Sequence, residues 1–223
     1  MDLSCQVLKY LHFLRLVIIN DDFKPMVNEN IQIDFNGKIK PQTNIIIDRY
    51  VRWLLLCKKY PTKNLQPPFD ILFVWNVHML RPHCYRNDCL KLFGGYVPNT
   101  CADIFGEISN CSDFFTLWNL EYNEQLCEHK SEKESKIITY NLNEIISFKL
   151  DESIWKQILF TRRVVGYRNI KHFTTNVIKN MINRYDKFFD IISPCHKLCP
   201  TTDIDIVWHA YQLNPRLYFD HSN

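Results

Sequence analysis

The chain has 223 residues, 46% of them hydrophobic and 23% charged, and 27 Lys and Arg against 24 Asp and Glu leave a formal net charge of +3. That length buries a real core in one large domain or two small ones, and the scattered, nearly balanced charges exclude the clustered basic surface that a nucleic-acid partner requires. No stretch approaches the ~18 consecutive apolar residues of a membrane span, and nine irregularly spaced cysteines read as reduced thiols rather than a disulfide framework.

At the N-terminus Leu3, Val7, Leu11, Leu14 and Ile18 fall on one helical stripe. Asp2, Lys9, His12 and Arg15 break the apolar centre that a signal peptide needs, so an amphipathic helix of an intracellular protein, cytoplasmic or nuclear, is expected. The polar stretch that follows carries Ile33 and Phe35 in alternation before Asn36-Gly37, which predicts a short β-hairpin near 31–40. From Ile45 to Tyr60, Ile46, Tyr50, Trp53, Leu54 and Cys57 recur at steps of three and four, the mark of a buried helix, and Pro61, Pro67 and Pro68 close it.

The stretch "PFDILFVWNVHMLRP", Pro68 to Pro82, then has an echo in "TDIDIVWHAYQLNP", Thr202 to Pro215. One constant offset of 133 residues, the step from Asp70 to Asp203, also carries Val74 to Val207, Trp75 to Trp208, Leu80 to Leu213, Pro82 to Pro215 and Tyr85 to Tyr218. Asp70 and Asp203 stand where a carboxylate can accept from the free N–H groups of a helix start, and Thr202 with Asp205 resembles a capping box. A buried strand competes for "ILFVW" and "IDIVW", but the flanking helical periods favour helices over 71–80 and 205–213. Pro82 and Pro215 would each open a second helix after a sharp corner, with Tyr85 and Tyr218 one turn in and Gly94-Gly95 ending the first copy.

Between the copies, Cys127 to Tyr140 includes the mixed-charge run Glu128 to Lys136 and reads as a solvated connection. Asp151 or Ser153 is the expected N-cap of the next helix. A long helix around 174–192 should turn Val177, Met181, Ile182, Tyr185, Phe188 and Phe189 inward, and "SPCHKLCP" repeats the part of the first proline-rich connection. Arg49-Tyr50 and Arg184-Tyr185 precede the two motifs at nearly equal distance. The fold expected is mainly α: a helical bundle of two pseudo-symmetric repeats in a single domain over 1–223, with halves at about 1–127 and 141–223. All five tryptophans are expected in its core.

The doubled motif P-x-D-[I/V]-x-x-V-W-x-x-H-x-L-x-P-x-x-Y resembles the glycine-rich domain-containing protein-like family, whose core reads D-x-x-x-x-W-H-x-H-x-L-x-P. Asp70 to Cys89 and Asp203 to Asp220 carry the resemblance. Two departures stand out. The W-H-x-H of the family is Trp75-Asn76-Val77-His78 in the first copy and Trp208-His209-Ala210-Tyr211 in the second, so each copy keeps one histidine and not the same one. With five glycines the chain has no glycine-rich tail, and nothing resembles the RNA-recognition module of some members, so no RNA role is implied. The chain stops at "YFDHSN", where the first copy runs on through "CLKLFGGYVP", and is expected to be truncated inside its second repeat.

An intact pair of histidines in each half could present four imidazoles to a metal. Here His78 and His209 remain, with Asp205 one helical turn before His209. Their counterparts by the offset are Tyr211 and Asn76, which hydrogen-bond but are not usual zinc ligands, so packing and hydrogen bonding are the expected roles and no cofactor is expected. A zinc alternative rests on Cys84 and Cys89 with Cys195 and Cys199, whose spacings fit knuckles that no turn glycine supports. Phosphate loops, nucleophile elbows and H-E-x-x-H are absent from the sequence, and no catalytic residue is identified. The residues singled out, for structural or binding roles, are Asp70, Trp75, His78, Pro82, Tyr85, Asp203, Asp205, Trp208, His209, Pro215 and Tyr218. The reading is an interaction or scaffold module whose partner is another protein. The alternative is a degenerate metal-dependent enzyme with His78, His209 and Asp205 as its residual site.

Overall fold

The computed structural model describes residues 2–20, 41–63, 65–95, 112–123, 141–167, 173–191 and 198–222. The hairpin expected near 31–40, the connection from Cys127 to Tyr140 and Cys195 lie outside the described residues. Within them the protein is helical and carries no strand. In chain order the helices are α1 (Leu3–Ile19), α2 (Pro41–Lys59), α3 (Phe69–Met79), α4 (Pro82–Phe93), α5 (Ser112–Tyr122), the single turn α6 (Leu142–Ile145), α7 (Leu150–Tyr167), α8 (Thr175–Ile191), α9 (Thr202–Gln212) and α10 (Pro215–Ser222). None is long and apolar enough to cross a membrane.

The chain divides into two compact units that interleave along the sequence. One comprises Asn36–His78 and His83–Ile154; the other comprises Met1–Phe35, Met79–Pro82 and Trp155–Asn223, so α1 belongs with α8, α9 and α10. In the first unit α3 is the centre. Every residue from Asp70 to Met79 is buried, which explains why its sequence is apolar all round instead of striped. Fully burying a side chain the size of Ile71, Phe73 or Val74 contributes about 1.5–3 kcal/mol. α2 supplies the neighbouring layer through Tyr50, Val51, Trp53, Leu54 and Cys57. α5 is fastened to α2 by Tyr122, whose O–H donates to the Arg52 carbonyl at 2.8 Å.

In the other unit α9 packs against α1, α8 and α10. α1 turns Val7, Tyr10, Leu11, Phe13, Leu14 and Val17 inward; of the expected stripe, Leu3 and Ile18 are only half-buried, and Tyr10, Phe13 and Val17 join it. On α8 the inward residues are Ile178, Met181, Tyr185 and Phe188, whereas Phe189 is 40% exposed. Adjacent residues lie about 100° apart on a helix, so Phe188 and Phe189 cannot both face one narrow core.

Both motif helices open earlier than their apolar runs suggested, and both corners turn as expected. Pro82 and Pro215 begin the following helices, and α4 ends at Phe93, followed by Gly94, whose φ of 72° suits a glycine that closes a helix. Two capping expectations fail. α7 starts at Leu150, so Asp151 and Ser153 fall in its first turn, where Ser153 Oγ donates back to the Lys149 carbonyl at 3.2 Å. α9 has Thr201 at its N-cap; the Thr201 hydroxyl donates to Asp203 at 2.6 Å and caps no backbone N–H.

Candidate functional site

The chemistry-bearing residues of α3 and α4 form a closed polar chain inside an aromatic shell. Tyr50 Oη lies 2.8 Å from His78 Nδ1, and His78 Nε2 lies 3.1 Å from Asp88 Oδ2. The carboxylate only accepts, so Nε2 carries the ring proton and Nδ1 accepts the Tyr50 O–H. Asp88 is held in turn by the Ser147 backbone N–H at 3.0 Å and the Ser147 hydroxyl at 3.2 Å. The Tyr85 and Phe148 rings lie 5.0 and 5.4 Å from the His78 ring, and the side chains of His78 and Asp88 are 1% and 4% exposed. Burial pushes the His78 imidazole below its ordinary range, against the pull of Asp88. Burial also works to raise Asp88, but the bonds from His78 and Ser147 outweigh it and hold the carboxylate below its usual range. At neutral pH the chain is therefore Tyr–OH, neutral imidazole and carboxylate, with both ring nitrogens engaged.

The second motif histidine stands in a chain of the same order but different origin. Tyr10 Oη lies 3.0 Å from His209 Nδ1 and accepts from Gln157 Nε2 at 2.9 Å. His209 Nε2 faces Asp205 Oδ1 at 3.5 Å, one helical turn back on α9. The Phe160 ring packs 4.5 Å from the imidazole. The pair is looser and wetter than its counterpart, with side chains 19% and 29% exposed. Burial pushes His209 down to about 4 and raises Asp205, the latter partly opposed by Arg163.

Around these histidines the two motifs make the same local contacts. Arg49 meets Asp70 at 2.8 Å, and Arg184 meets Asp203 at 2.8 Å, so an arginine of the preceding helix anchors each motif carboxylate. Trp53 packs on Trp75 with ring centroids 4.9 Å apart, and Phe188 packs on Trp208 at 6.2 Å. Tyr50 meets His78 at 5.9 Å, and Tyr185 meets Tyr211 at 6.3 Å. His78 meets Tyr85 at 5.0 Å, and Tyr211 meets Tyr218 at 5.6 Å. Arg49, Tyr50 and Trp53 align with Arg184, Tyr185 and Phe188 at a step of 135, against 133 within the motifs. Two residues fewer in the second connection leave these contacts intact.

The copies differ at tryptophan. Trp75 is 3% exposed and its Nε1–H donates to Tyr85 Oη at 3.0 Å. Trp208 is only half-buried, and its Nε1 is covered yet has no hydrogen-bond partner. Trp155 is also half-buried, so of the five tryptophans Trp53, Trp75 and Trp118 form the core. Asn76, the counterpart of His209, turns its amide N–H back to the Leu72 carbonyl at 3.0 Å.

The cysteines do not form a common cluster among the described residues. Cys84 is half-buried and Cys89 buried on α4, five residues and so about 140° apart around the helix, and Cys199 is exposed. Among the described residues no group of three or more His, Cys, Asp or Glu converges as a metal site would need. The sequence reading missed Tyr10, Asp88, Ser147 and Gln157. Tyr50 alone had a local signal, the Arg-Tyr pair ahead of each motif.

Comparison with known proteins places the chain in a family. The model of the glycine-rich domain-containing protein-like family matches residues 44–88 and again 85–221. Two curated relatives from Arabidopsis thaliana, glycine-rich domain-containing protein 1 and glycine-rich domain-containing protein 2, are each 26% identical, over 192 and 190 residues. The matched regions cover 75% and 74% of this chain but 22% of each relative, so the chain spans about a fifth of the length of these proteins. No solved structure matches. On the extent of the family match, the chain belongs to the glycine-rich domain-containing protein-like family.

Proposed function

We propose that the chain is a helical protein-interaction module, built on a duplicated motif whose histidines fasten helices together instead of serving a metal or a substrate. The observation that carries this reading is the state of His78. A catalytic or ligating imidazole needs a free nitrogen within reach of its target; both nitrogens of His78 are taken up by Tyr50 and Asp88 within a side chain that is 1% exposed. The matched aromatic contacts around Trp75 and Trp208 support duplication of a framework rather than of a reaction centre. Free thiols at Cys5, Cys57, Cys84 and Cys199 suit a working site inside the cell.

Photo-crosslinkers placed at Leu120 and Ile191, which are 71% and 64% exposed, test the proposal in cells. A captured protein that then forms a saturable, stoichiometric complex with the purified chain supports an interaction module. A chain that forms none, and that instead carries stoichiometric zinc or iron lost in the His78→Ala, His209→Ala double variant, supports the metal-dependent alternative at His78, His209 and Asp205.

A further inference from the structure

Helix α1 meets its unit at a point of unusual polarity. Tyr10, fully buried in an otherwise apolar stripe, sets its hydroxyl between Gln157 of α7 and His209 of α9. At neutral pH every role in this chain is complementary. Gln157 N–H donates to Tyr10, Tyr10 O–H donates to His209 Nδ1, and Nε2 faces the Asp205 carboxylate at 3.5 Å, beyond a good hydrogen-bond length.

We propose that His209, paired with Asp205, is an acid-operated latch on α1: when its imidazole takes up a proton, donor and acceptor roles at Tyr10 reverse and α1 loosens from α7 and α9. A proton placed on Nδ1 sets an N–H against the Tyr10 O–H. The tyrosine must then turn its own proton elsewhere and accept from His209 while it already accepts from Gln157. Buried polar groups with reversed roles lose their hydrogen bonds and keep their desolvation cost.

The first motif shows why this pair and not the other is the latch. His78 and Asp88 sit at 3.1 Å with side chains 1% and 4% exposed and a double clamp from Ser147. His209 and Asp205 sit at 3.5 Å and are 19% and 29% exposed, so water reaches them. The groups that face the pair are Tyr10 on α1, with Gln157, Phe160 and Arg163 on α7; Arg163 acts on Asp205. Among the described residues, α8 and α10, the other helices packed on α9, bring no charge that moves His209, which burial alone lowers.

Hydrogen exchange of the full chain, read helix by helix by mass spectrometry and corrected for intrinsic rates, tests the latch. A histidine lowered from 6.5 to about 4 resists a proton that the released state accepts. The opening equilibrium of α1 should therefore rise from pH 8 to pH 5, by up to about 30-fold from His209 alone. Asp205, raised in the folded state, works in the opposite direction and trims that figure. The rise should be larger in α1 than in α2 and α3, and should fall below about 3-fold in His209→Asn. If that variant does not fold, His209→Gln, which likewise has no titratable ring, should flatten the profile instead. Equal α1 exchange at pH 8 and pH 5 overturns the proposal, as does a full rise that persists in either folded variant.

Discussion

Replacing Tyr50 with Phe removes one oxygen atom from the centre of the first unit and leaves its volume almost unchanged. Tyr50 is fully buried and its O–H is the donor at 2.8 Å to His78 Nδ1. Without it, Nδ1 becomes a buried acceptor with nothing to accept, because Nε2 is committed to Asp88. Leaving one buried polar atom unsatisfied costs about 1–3 kcal/mol. The ring contacts with Trp53 and His78 remain, so no cavity cost is added. Urea unfolding followed by tryptophan fluorescence reads the loss. With a slope of about 2 kcal/mol per M, the midpoint should drop by roughly 0.5–1.5 M at unchanged slope. A Tyr50→Phe protein with the parent midpoint would show that the chain from Tyr50 to Asp88 contributes nothing to holding the unit together, and the assignment of His78 as a fastener would fail.

The two tryptophans should respond unequally: Trp75→Ala should cost roughly 3–5 kcal/mol by emptying a core site, and Trp208→Ala, from a half-buried site, about 1–3 kcal/mol, both read from urea midpoints. The arginine anchors should differ in the same sense. Arg49→Ala strands the Asp70 carboxylate, 5% exposed, at about 3–5 kcal/mol, whereas Arg184→Ala, from a side chain 57% exposed, should cost under ~1 kcal/mol. In acid, His78 lies below its unfolded value, so the unfolded chain binds the proton first and the stability of the first unit should begin to fall as pH drops below about 6.5. Asp88, lowered from 3.8, adds stability that is present above that value and lost as pH falls further. A melting temperature that is flat from pH 7 to pH 4 would contradict the sign for His78, and no further fall below pH 4 would contradict that for Asp88.

The helices were legible because their signals are local. Asp70 and Pro82, with Asp203 and Pro215, bracket the two motif helices, and steps of three and four mark Tyr50, Trp53, Leu54 and Cys57 as one buried face. Propensity for strand in "ILFVW" gave way because a helix buried all round is as apolar as a buried strand. The site was legible only in part. His78 and His209 announce themselves in the motif, but Asp88 is an ordinary helical acid, and Tyr10 and Gln157 lie 199 and 52 residues from His209 with no shared pattern. Packing of separate segments decides such partners, and a linear spacing carries no record of it. The outward turn of Phe189 had the same cause: only a neighbour decides which of two adjacent aromatics faces in.

The central claim is that the protein itself engages both ring nitrogens of His78 and Nδ1 of His209. Nitrogen-15 spectra of the ring nitrogens of His78 and His209, recorded at neutral pH with and without one equivalent of zinc, test it most directly. The account predicts a neutral His78 with its proton on Nε2 and an accepting Nδ1, unmoved by zinc, and the same form for His209. A zinc-induced shift of either ring's nitrogens to a metal-bound value, abolished by substituting that histidine, would contradict it.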